Sequence, residues 1–383
     1  MRYNIYVSVI CLKYRLLPTK AQETALSQTL ALCGEVYNSL VNERRAKYET
    51  AKESLSCFKQ QASVGEWKKS HPELSTVHSQ VLQNVAVRVD LAFQAFFRRI
   101  KAGENPGYPR LKGRGVYDSI TFPQAGKTGA KLQGDVLSVS KIGQVRCVVH
   151  RPLIGTVKTC TIRRQAGKWF ACFACEYEPE PLPCSDESVG IDVGLNQFAA
   201  LSDGTFVENP RFFRKDEKAL AKAGRKQAKQ AKGSPARRKA NKVLARIHER
   251  IRNRRHNFAH QTARRLIDQY GLIAVEKLNV RGMVQNPCLA KSISDAAWSM
   301  FRSVLTVKAE SAGREVVSVD PRYTSQDCSG CGYRAKKKLS ERWHFCPMCS
   351  LSLDRDTNAA INILKAVGRH GVSGATAIEA PVL

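Results

Sequence analysis

Residues 189–204 read VGIDVGLNQFAALSDG, and this stretch governs the interpretation of the second half of the chain. Two apolar runs followed by the turn pair Asp203-Gly204 predict a β-hairpin. Further strand patterns alternate with helical ones, which predicts a layered α/β domain. The strands are expected at 272–275 and 315–319, and the helices at 258–269, from an N-cap at Ser294 to Gly313, and from Thr357 to about Val367.

The first half of the chain changes from a helical to a β-like pattern. Residues 3–17 predict a strand, and from 19 to about 101 apolar residues recur at the three- to four-residue spacing of helices. Short β-like runs from about 119 to 177, separated by glycines, predict a small barrel or sheet. A proline-rich linker follows, and we place a domain boundary there, at Pro179, Pro181 and Pro183.

Three acidic residues stand at the ends of the predicted strands and helices. Asp192 interrupts an apolar strand, Glu276 follows an apolar run, and Asp356 lies beside the start of the last helix. A buried carboxylate costs several kcal/mol unless a cation pairs with it. Oxygen ligands suit Mg²⁺, and two such ions can act together on a phosphate. Each acid also has a purely structural reading, and Asp354 competes with Asp356 for the third position.

The charge of the chain points to a polyanionic partner. Its 383 residues include 62 Lys and Arg against 33 Asp and Glu, a net charge of +29, which is typical of nucleic-acid binding. Between 211 and 255 there are 18 basic and three acidic residues, and we interpret this segment as a basic helical hairpin; a merely solvated face would interleave acids. The candidate phosphate contacts are Arg110, Lys112, Arg237, Arg238, Lys239 and Arg254.

Four of the thirteen cysteines form two C-x-x-C pairs, separated by fourteen residues. Four thiolates can enclose one tetrahedral Zn²⁺ ion with no open position, so we predict a structural zinc site. Its ligands would be Cys328, Cys331, Cys346 and Cys349. The remaining cysteines are scattered, and a chain of this size needs no disulfides, so we expect a reducing, cytoplasmic location. No run of about 18 apolar residues occurs, so no membrane partner is expected.

Six segments, in this order, resemble the TnpB family, the RNA-guided DNA nucleases of bacterial transposons that are related to the type V CRISPR effectors. They are RLLPTKAQ at 15–22, GYPRLK at 107–112, GIDVG at 190–194, VEKL at 275–278, PRYTSQ at 321–326 and DRDTNAAIN at 354–362. The segments are spread over nearly the whole chain. The complete set is specific for the family, although a single segment would not be.

The resemblance implies an α/β, multidomain fold. Its parts would be a wedge β-barrel domain (1–18 and 102–183), an inserted helical recognition domain (19–101), an RNase H-like RuvC nuclease domain (186–326 and 351–370) that carries the basic hairpin 211–255, a zinc ribbon (327–350) and a tail (371–383).

The resemblance also implies an activity, which is metal-dependent hydrolysis of target DNA at one RuvC-type site. Asp192, Glu276 and Asp356 would be the catalytic, Mg²⁺-binding acids; the family's Asp-x-Asn pattern falls on Asp356 and Asn358, which favours Asp356 over Asp354. A guide RNA from the transposon end would pair with double-stranded target DNA, and the protein would read a short adjacent DNA motif.

Three other functions compete with this interpretation. A strand-transferring transposase would need a His-hydrophobic-His pair with a nucleophilic Tyr, and the chain has no such pair. A zinc-ribbon RNA-binding protein of the translation apparatus would leave the three embedded acids unexplained. The third alternative is a regulator of transposition that binds DNA, with or without a guide RNA, and does not cut it. The three acids argue against this function, but their presence alone does not prove that DNA is cut.

Overall fold

The computed structural model describes residues 7–113, 115–337 and 341–369. The chain forms two compact units that divide between Glu178 and Pro179, at the start of the proline-rich linker. The predicted tail at 371–383 lies outside the described residues. None of the helices that these residues form combines the length and the hydrophobicity needed to cross a bilayer.

The first unit contains a sheet and a set of helices, as the two periodicities predicted. Its elements are β1 (Ser8–Leu17), α1 (Lys20–Ala51), α2 (Cys57–Ser70), a 3₁₀ helix (Pro72–Thr76), α3 (Ser79–Lys101), β2 (Ser119–Phe122), β3 (Ala130–Gln133), β4 (Val136–Val139), β5 (Gly143–Val148), β6 (Thr156–Gln165) and β7 (Lys168–Tyr177).

The seven strands pair antiparallel in the order β2-β6-β7-β1-β5-β4-β3. The two edge strands, β2 and β3, are consecutive in sequence and joined only by residues 123–129, so the sheet nearly closes into a barrel. A capping box between Thr19 and Gln22 starts α1 directly after β1. Helices and sheet share one hydrophobic core, in which Leu30 of α1 and Phe173 of β7 are both buried.

The second unit contains the predicted α/β layers. Its elements are β8 (Ser188–Val193), β9 (Gln197–Leu201), β10 (Phe206–Glu208), α4 (Phe212–Ala228), α5 (Pro235–Gln269), β11 (Leu272–Glu276), α6 (Val280–Met283), α7 (Ala290–Ala296), α8 (Trp298–Ser311), β12 (Glu315–Val319), β13 (Trp343–Phe345), β14 (Ser352–Asp354) and α9 (Arg355–Arg369).

The five-stranded sheet has the order β10-β9-β8-β11-β12. The first three strands are antiparallel, whereas β8, β11 and β12 run parallel, as expected of an RNase H-like domain. Side chains alternate between its faces. Ile191 and Ile273 pack with α5 and α8 on one face, and Ala274 packs with Ile363 of α9 on the other. The strands β13 and β14 form a separate two-stranded ribbon.

Two helices differ from the sequence-based expectations. The basic hairpin does not end near 255, because α5 continues as one helix to Gln269 and keeps an apolar face that includes Ala263 and Leu266 buried. Ser294 is not an N-cap but lies inside α7. The helix break falls at Ala297, whose backbone is left-handed with φ 56°, and α8 begins immediately after it.

Candidate active site

The strand register places Asp192 and Glu276 side by side. β8 and β11 are parallel neighbours in which Ile191 lies opposite Val275, so the next residues, Asp192 and Glu276, stand at the same level where the strands end. Because side chains alternate, both acids lie on the same face as Ala274, which is the face that α9 covers. Pairing of two strands thus brings together acids that are 84 residues apart in the sequence.

Helix α9 brings the third acid to the same place. A side chain at Gly190 could not be accommodated, because its Cβ would lie 2.0 Å from the carbonyl oxygen of Ala360. The glycine therefore allows α9 to lie directly on β8. Asp356 is one helical turn before Ala360, in the first turn of α9, and its charge acts on Asp192. The structure thus brings together all three acids that the sequence singled out.

The neighbouring acid, Asp354, has a different position. Its Oδ1 accepts hydrogen bonds from the backbone N–H groups of Asp356 (2.9 Å) and Thr357 (3.1 Å), and so caps the N-terminus of α9. Asp356 acts on the charge of Asp192 more strongly than Asp354 does, and Arg342 Nη1 lies 3.8 Å from its Oδ2. This geometry favours Asp356 over Asp354 as the third member of the cluster.

Burial raises the pKa of all three carboxyls, and neighbouring acids add to the shift at Asp192 and Asp356. Burial, together with the neighbouring Glu276 and Asp356, raises the pKa of Asp192 well above its ordinary value. Burial and Asp354 raise the pKa of Asp356, although Arg342 and Arg355 act in the opposite direction. Burial also raises the pKa of Glu276. Such a cluster favours binding of protons or of a cation.

The donor set fits a divalent cation that prefers oxygen ligands. The three carboxylates are more widely spaced than the zinc-type cluster, since only the four cysteines, among the described residues, form a group of three or more potential ligands with donor atoms within 4.8 Å of one another. Mg²⁺ keeps several water ligands, and it therefore does not require protein carboxylates in mutual contact. Burial and the neighbouring Glu276 and Asp356 disfavour the charged form of Asp192, and a bound cation would relieve this repulsion.

One of the acids is held by a residue to which the sequence gave no role. The hydroxyl of Thr324 donates a 2.6 Å hydrogen bond to Oε1 of Glu276 and lowers the pKa that burial raises. Thr324 belongs to the segment 321–326, but it is 48 residues from Glu276, and no local pattern indicates a contact over that distance.

The four predicted zinc ligands converge. The Sγ atoms of Cys328 and Cys349 are 3.6 Å apart, and those of Cys331 and Cys346 are 3.5 Å apart. A tetrahedral ion with Zn–S bonds of about 2.3 Å has S–S edges of about 3.8 Å, so the four thiols fit Zn²⁺. The cluster could therefore hold zinc, as the spacing of the C-x-x-C pairs suggested.

Side chains of α9 hold the chain segment that enters the first cysteine pair. Asn362 Nδ2 donates to the carbonyl oxygens of Thr324 (2.9 Å) and Asp327 (2.7 Å). Asn358 Oδ1 accepts from the backbone N–H of Ser329 at 2.9 Å. The same helix therefore carries one acid, Asp356, and supports the segment that orients another.

Two predicted phosphate contacts lie on the first unit. Arg110 and Lys112 are both exposed, in the connection between α3 and β2. The side chain of Asn38 fixes this connection, because its Oδ1 accepts from the backbone N–H of Lys112 at 2.7 Å and its Nδ2 donates to the carbonyl of the same residue at 3.0 Å. The connection therefore presents its basic side chains from an anchored backbone.

The other four predicted phosphate contacts lie in the basic hairpin. Arg237 and Arg238 donate to backbone carbonyls of the turn between α4 and α5. Arg254 pairs with Asp216 across the hairpin at 3.2 Å. Lys239 is exposed. Three of the four therefore also stabilise the hairpin itself.

Three family models match the chain. A model described as "Probable transposase" (OrfB_IS605) matches residues 172–287, and a "Cas12f1-like, TNB domain" model matches 298–363. A "Helix-turn-helix domain" model (HTH_OrfB_IS605) matches 10–53, which in this structure form β1 and the single long helix α1. The first two matches include the strands and the helix that carry the three acids.

Similar proteins cover nearly the whole chain. A Streptomyces pristinaespiralis protein named "Putative RNA-guided DNA endonuclease" is 35% identical over 362 residues, which are 92% of this chain and 88% of that protein. An Escherichia coli (strain K12) protein named "Putative RNA-guided DNA endonuclease InsQ" is 30% identical over 375 residues, 92% of this chain and 91% of that protein.

The fold is shared with a solved structure. A chain of "Cryo-EM structure of the Cas12f1-sgRNA-target DNA complex" superposes with a TM-score of 0.58 at 13% identity, over 93% of this chain and 98% of that chain. The sequence identity extends over nearly the whole chain, and the motifs and the acids stand in the expected order. The chain therefore belongs to the TnpB family of RNA-guided DNA endonucleases.

Proposed function

We propose that this protein is an RNA-guided DNA endonuclease that hydrolyses target DNA in a Mg²⁺-dependent reaction at Asp192, Glu276 and Asp356. The observation that carries the proposal is the convergence of these three acids, from β8, β11 and α9, in a strongly basic protein. Two relatives that align with nearly the whole chain are named as putative RNA-guided DNA endonucleases, which supports the same activity.

The three carboxylates would hold the metal ion, for which we propose Mg²⁺. When bound, it would supply charge stabilisation at a phosphate and an activated water. The chain's own residues do the positioning: Thr324 orients Glu276, and Asp354 fixes the first turn of α9, in which Asp356 stands. Zn²⁺ in the cysteine cluster would be structural, because four thiolates leave no open position.

The positive net charge and the names of the relatives indicate that the partners are RNA and DNA. A guide RNA from the transposon end would supply sequence specificity by pairing with double-stranded target DNA, while exposed basic groups contact phosphates. Residues 19–101 would serve as the recognition part, 1–18 with 102–183 as the wedge, and 327–350 as the zinc ribbon. The location would be the cytoplasm, where both nucleic acids and reduced thiols are available.

The test is to express the gene with its native downstream flank, purify the protein and sequence the bound RNA. We expect one dominant species, with a constant scaffold that runs into sequence beyond the element. DNA that matches this variable part should then be cut in the presence of Mg²⁺. A random assortment of cellular RNA would contradict guidance. A defined RNA with sequence-specific DNA binding but no cutting would favour the non-cleaving regulator instead.

A further inference from the structure

A cavity of about 270 Å³ lies in the second unit between the sheet and α8. Its walls are mainly apolar, with Ile191 and Val275 on the sheet side and Trp298 and Phe301 on the helix side. Glu276 lines it as well, so the cavity adjoins one of the three acids. The acid cluster on the α9 face gives no reason for an open cavity on the α8 face of the sheet.

Two of the side chains that line the cavity carry donors that meet no partner among the described residues. Trp298 is 5% exposed, yet its indole N–H meets no acceptor in the part of the chain that the structure describes. Arg302, half-buried one helical turn later, has neither a hydrogen bond nor an ion pair within the same ranges, although Glu276 lines the same cavity. A buried donor without an acceptor costs free energy, so the cavity suits a ligand that accepts hydrogen bonds and carries negative charge.

The cavity lies on the α8 face of the sheet and Asp192 faces α9 at the same strand ends, while Glu276, at the end of β11, borders both regions. Ile191 and Val193 line the cavity, whereas Asp192, between them, faces α9. The two regions are therefore separated by about the thickness of one strand. A nucleotide spans a comparable distance, because one sugar separates its phosphate from its base. A phosphate at the acids can accordingly place an adjoining base at the cavity.

We propose that this cavity binds one unpaired nucleobase of the DNA strand that is cut, next to the scissile phosphate, while Arg302 contacts the phosphate backbone. The inference rests on the proposed nuclease function and adds a substrate-positioning site to it. A base presents a flat π-face to Trp298 and Phe301, and every base offers an acceptor for the indole N–H. A base inside a duplex cannot reach such a cavity, so the cavity selects an unpaired strand.

The first test uses variants of the guide-loaded protein. Trp298→Phe removes the indole N–H together with the five-membered ring and keeps one aromatic face, and Arg302→Ala removes the guanidinium. We expect each to slow single-turnover cleavage of the ordinary target about tenfold, with target binding unchanged, at a temperature at which melting curves show that wild type and variants are all folded. Lys308→Ala, which removes a positive charge from the same helix outside the cavity, is the matched control and should cleave at the wild-type rate. Wild-type rates in both cavity variants would overturn the proposal.

The second test changes the DNA. Targets with an abasic residue at each position beside the cleaved bond are compared with the intact target. We expect one position at which loss of the base slows wild-type cleavage about tenfold, and a smaller loss there in Trp298→Phe, because the two changes remove the same contact. Equal rates at every position would overturn this inference alone. No cleavage of the intact target by the wild-type protein would overturn the proposed function together with it.

Discussion

Thr324 and Glu276 are joined by a 2.6 Å hydrogen bond from the threonine hydroxyl to Oε1 of the glutamate. The backbone carbonyl of Thr324 in turn accepts a hydrogen bond from Asn362 on α9, at 2.9 Å. The same helix carries Asp356. Two of the three acids are therefore positioned through one framework of α9 and the segment that leads into the first cysteine pair.

Removing the Thr324 hydroxyl should slow cleavage without weakening target binding. A hydrogen bond to a charged group is worth about 1.5–3 kcal/mol, so Thr324→Val should lower the single-turnover rate roughly ten- to hundredfold. Thr324→Ser keeps the donor and should restore most of the rate. A Thr324→Val protein that cuts as fast as the wild type would show that Glu276 needs no such orientation.

The stability of the magnesium-free protein should fall as the pH rises. Because the pKa values of Asp192, Glu276 and Asp356 are raised, the folded protein keeps protons that the unfolded chain releases above about pH 4. Unfolding is therefore favoured increasingly as the pH rises from about 4 through the raised pKa values.

Asp192→Asn removes the largest of these contributions. In magnesium-free buffer at neutral pH, this variant should melt at a higher temperature than the wild type, and the difference should disappear below about pH 3, where the wild-type carboxyl is protonated in both states. Melting curves measured across this pH range test the prediction. A variant that melts below the wild type at neutral pH would contradict the electrostatic account of the cluster.

Loss of one cysteine ligand should release zinc and also disturb the acids. Cys328→Ser should reduce the zinc content, measured by elemental mass spectrometry, from about one ion per chain to none, and should lower the melting temperature. Because α9 holds the segment next to Cys328, cleavage should fall as well. Cys184→Ser, which changes an exposed cysteine outside the cluster, is the control and should retain zinc.

The basic hairpin should depend on one buried acid. Asp295, in α7, accepts the backbone N–H of Phe213 at the start of α4 (2.9 Å) and pairs with Arg255 of α5 at 2.8 Å. Asp295→Ala leaves these donors unpaired and should destabilise the protein by about 3 kcal/mol in denaturant unfolding. Asp268→Ala removes only an exposed pair on α5 and should have an effect below about 1 kcal/mol. Equal effects of the two substitutions would refute the anchoring role.

The sequence predicted those features that depend on local pattern or on recognisable motifs. The hairpin of β8 and β9, the two C-x-x-C pairs and the three acids could all be identified because period, turn residues and spacing are local signals. The single helix α5 was not predicted as continuous, since a change in charge near 255 resembled a helix end although its apolar face continues.

Contacts between distant residues could not be predicted in the same way. Thr324 meets Glu276, and Asp295 meets Phe213, only because the sheet and helices bring them together, and neither threonine nor aspartate is unusual where it stands in the sequence. Similarly, only the resemblance to the family's Asp-x-Asn pattern favoured Asp356 over Asp354, whereas the hydrogen bonds at the start of α9 separate a capping residue from a member of the acid cluster.

The most direct test of the account is guided cleavage by single variants of the four acids in Mg²⁺, with target binding measured in parallel. Asp192→Asn, Glu276→Gln and Asp356→Asn should each abolish cutting while binding persists. Asp354→Asn should still cut, because the amide oxygen can cap α9 in place of the carboxylate. Undiminished cleavage by any of the first three variants, or loss of cleavage confined to Asp354→Asn, would contradict the assignment of the active site.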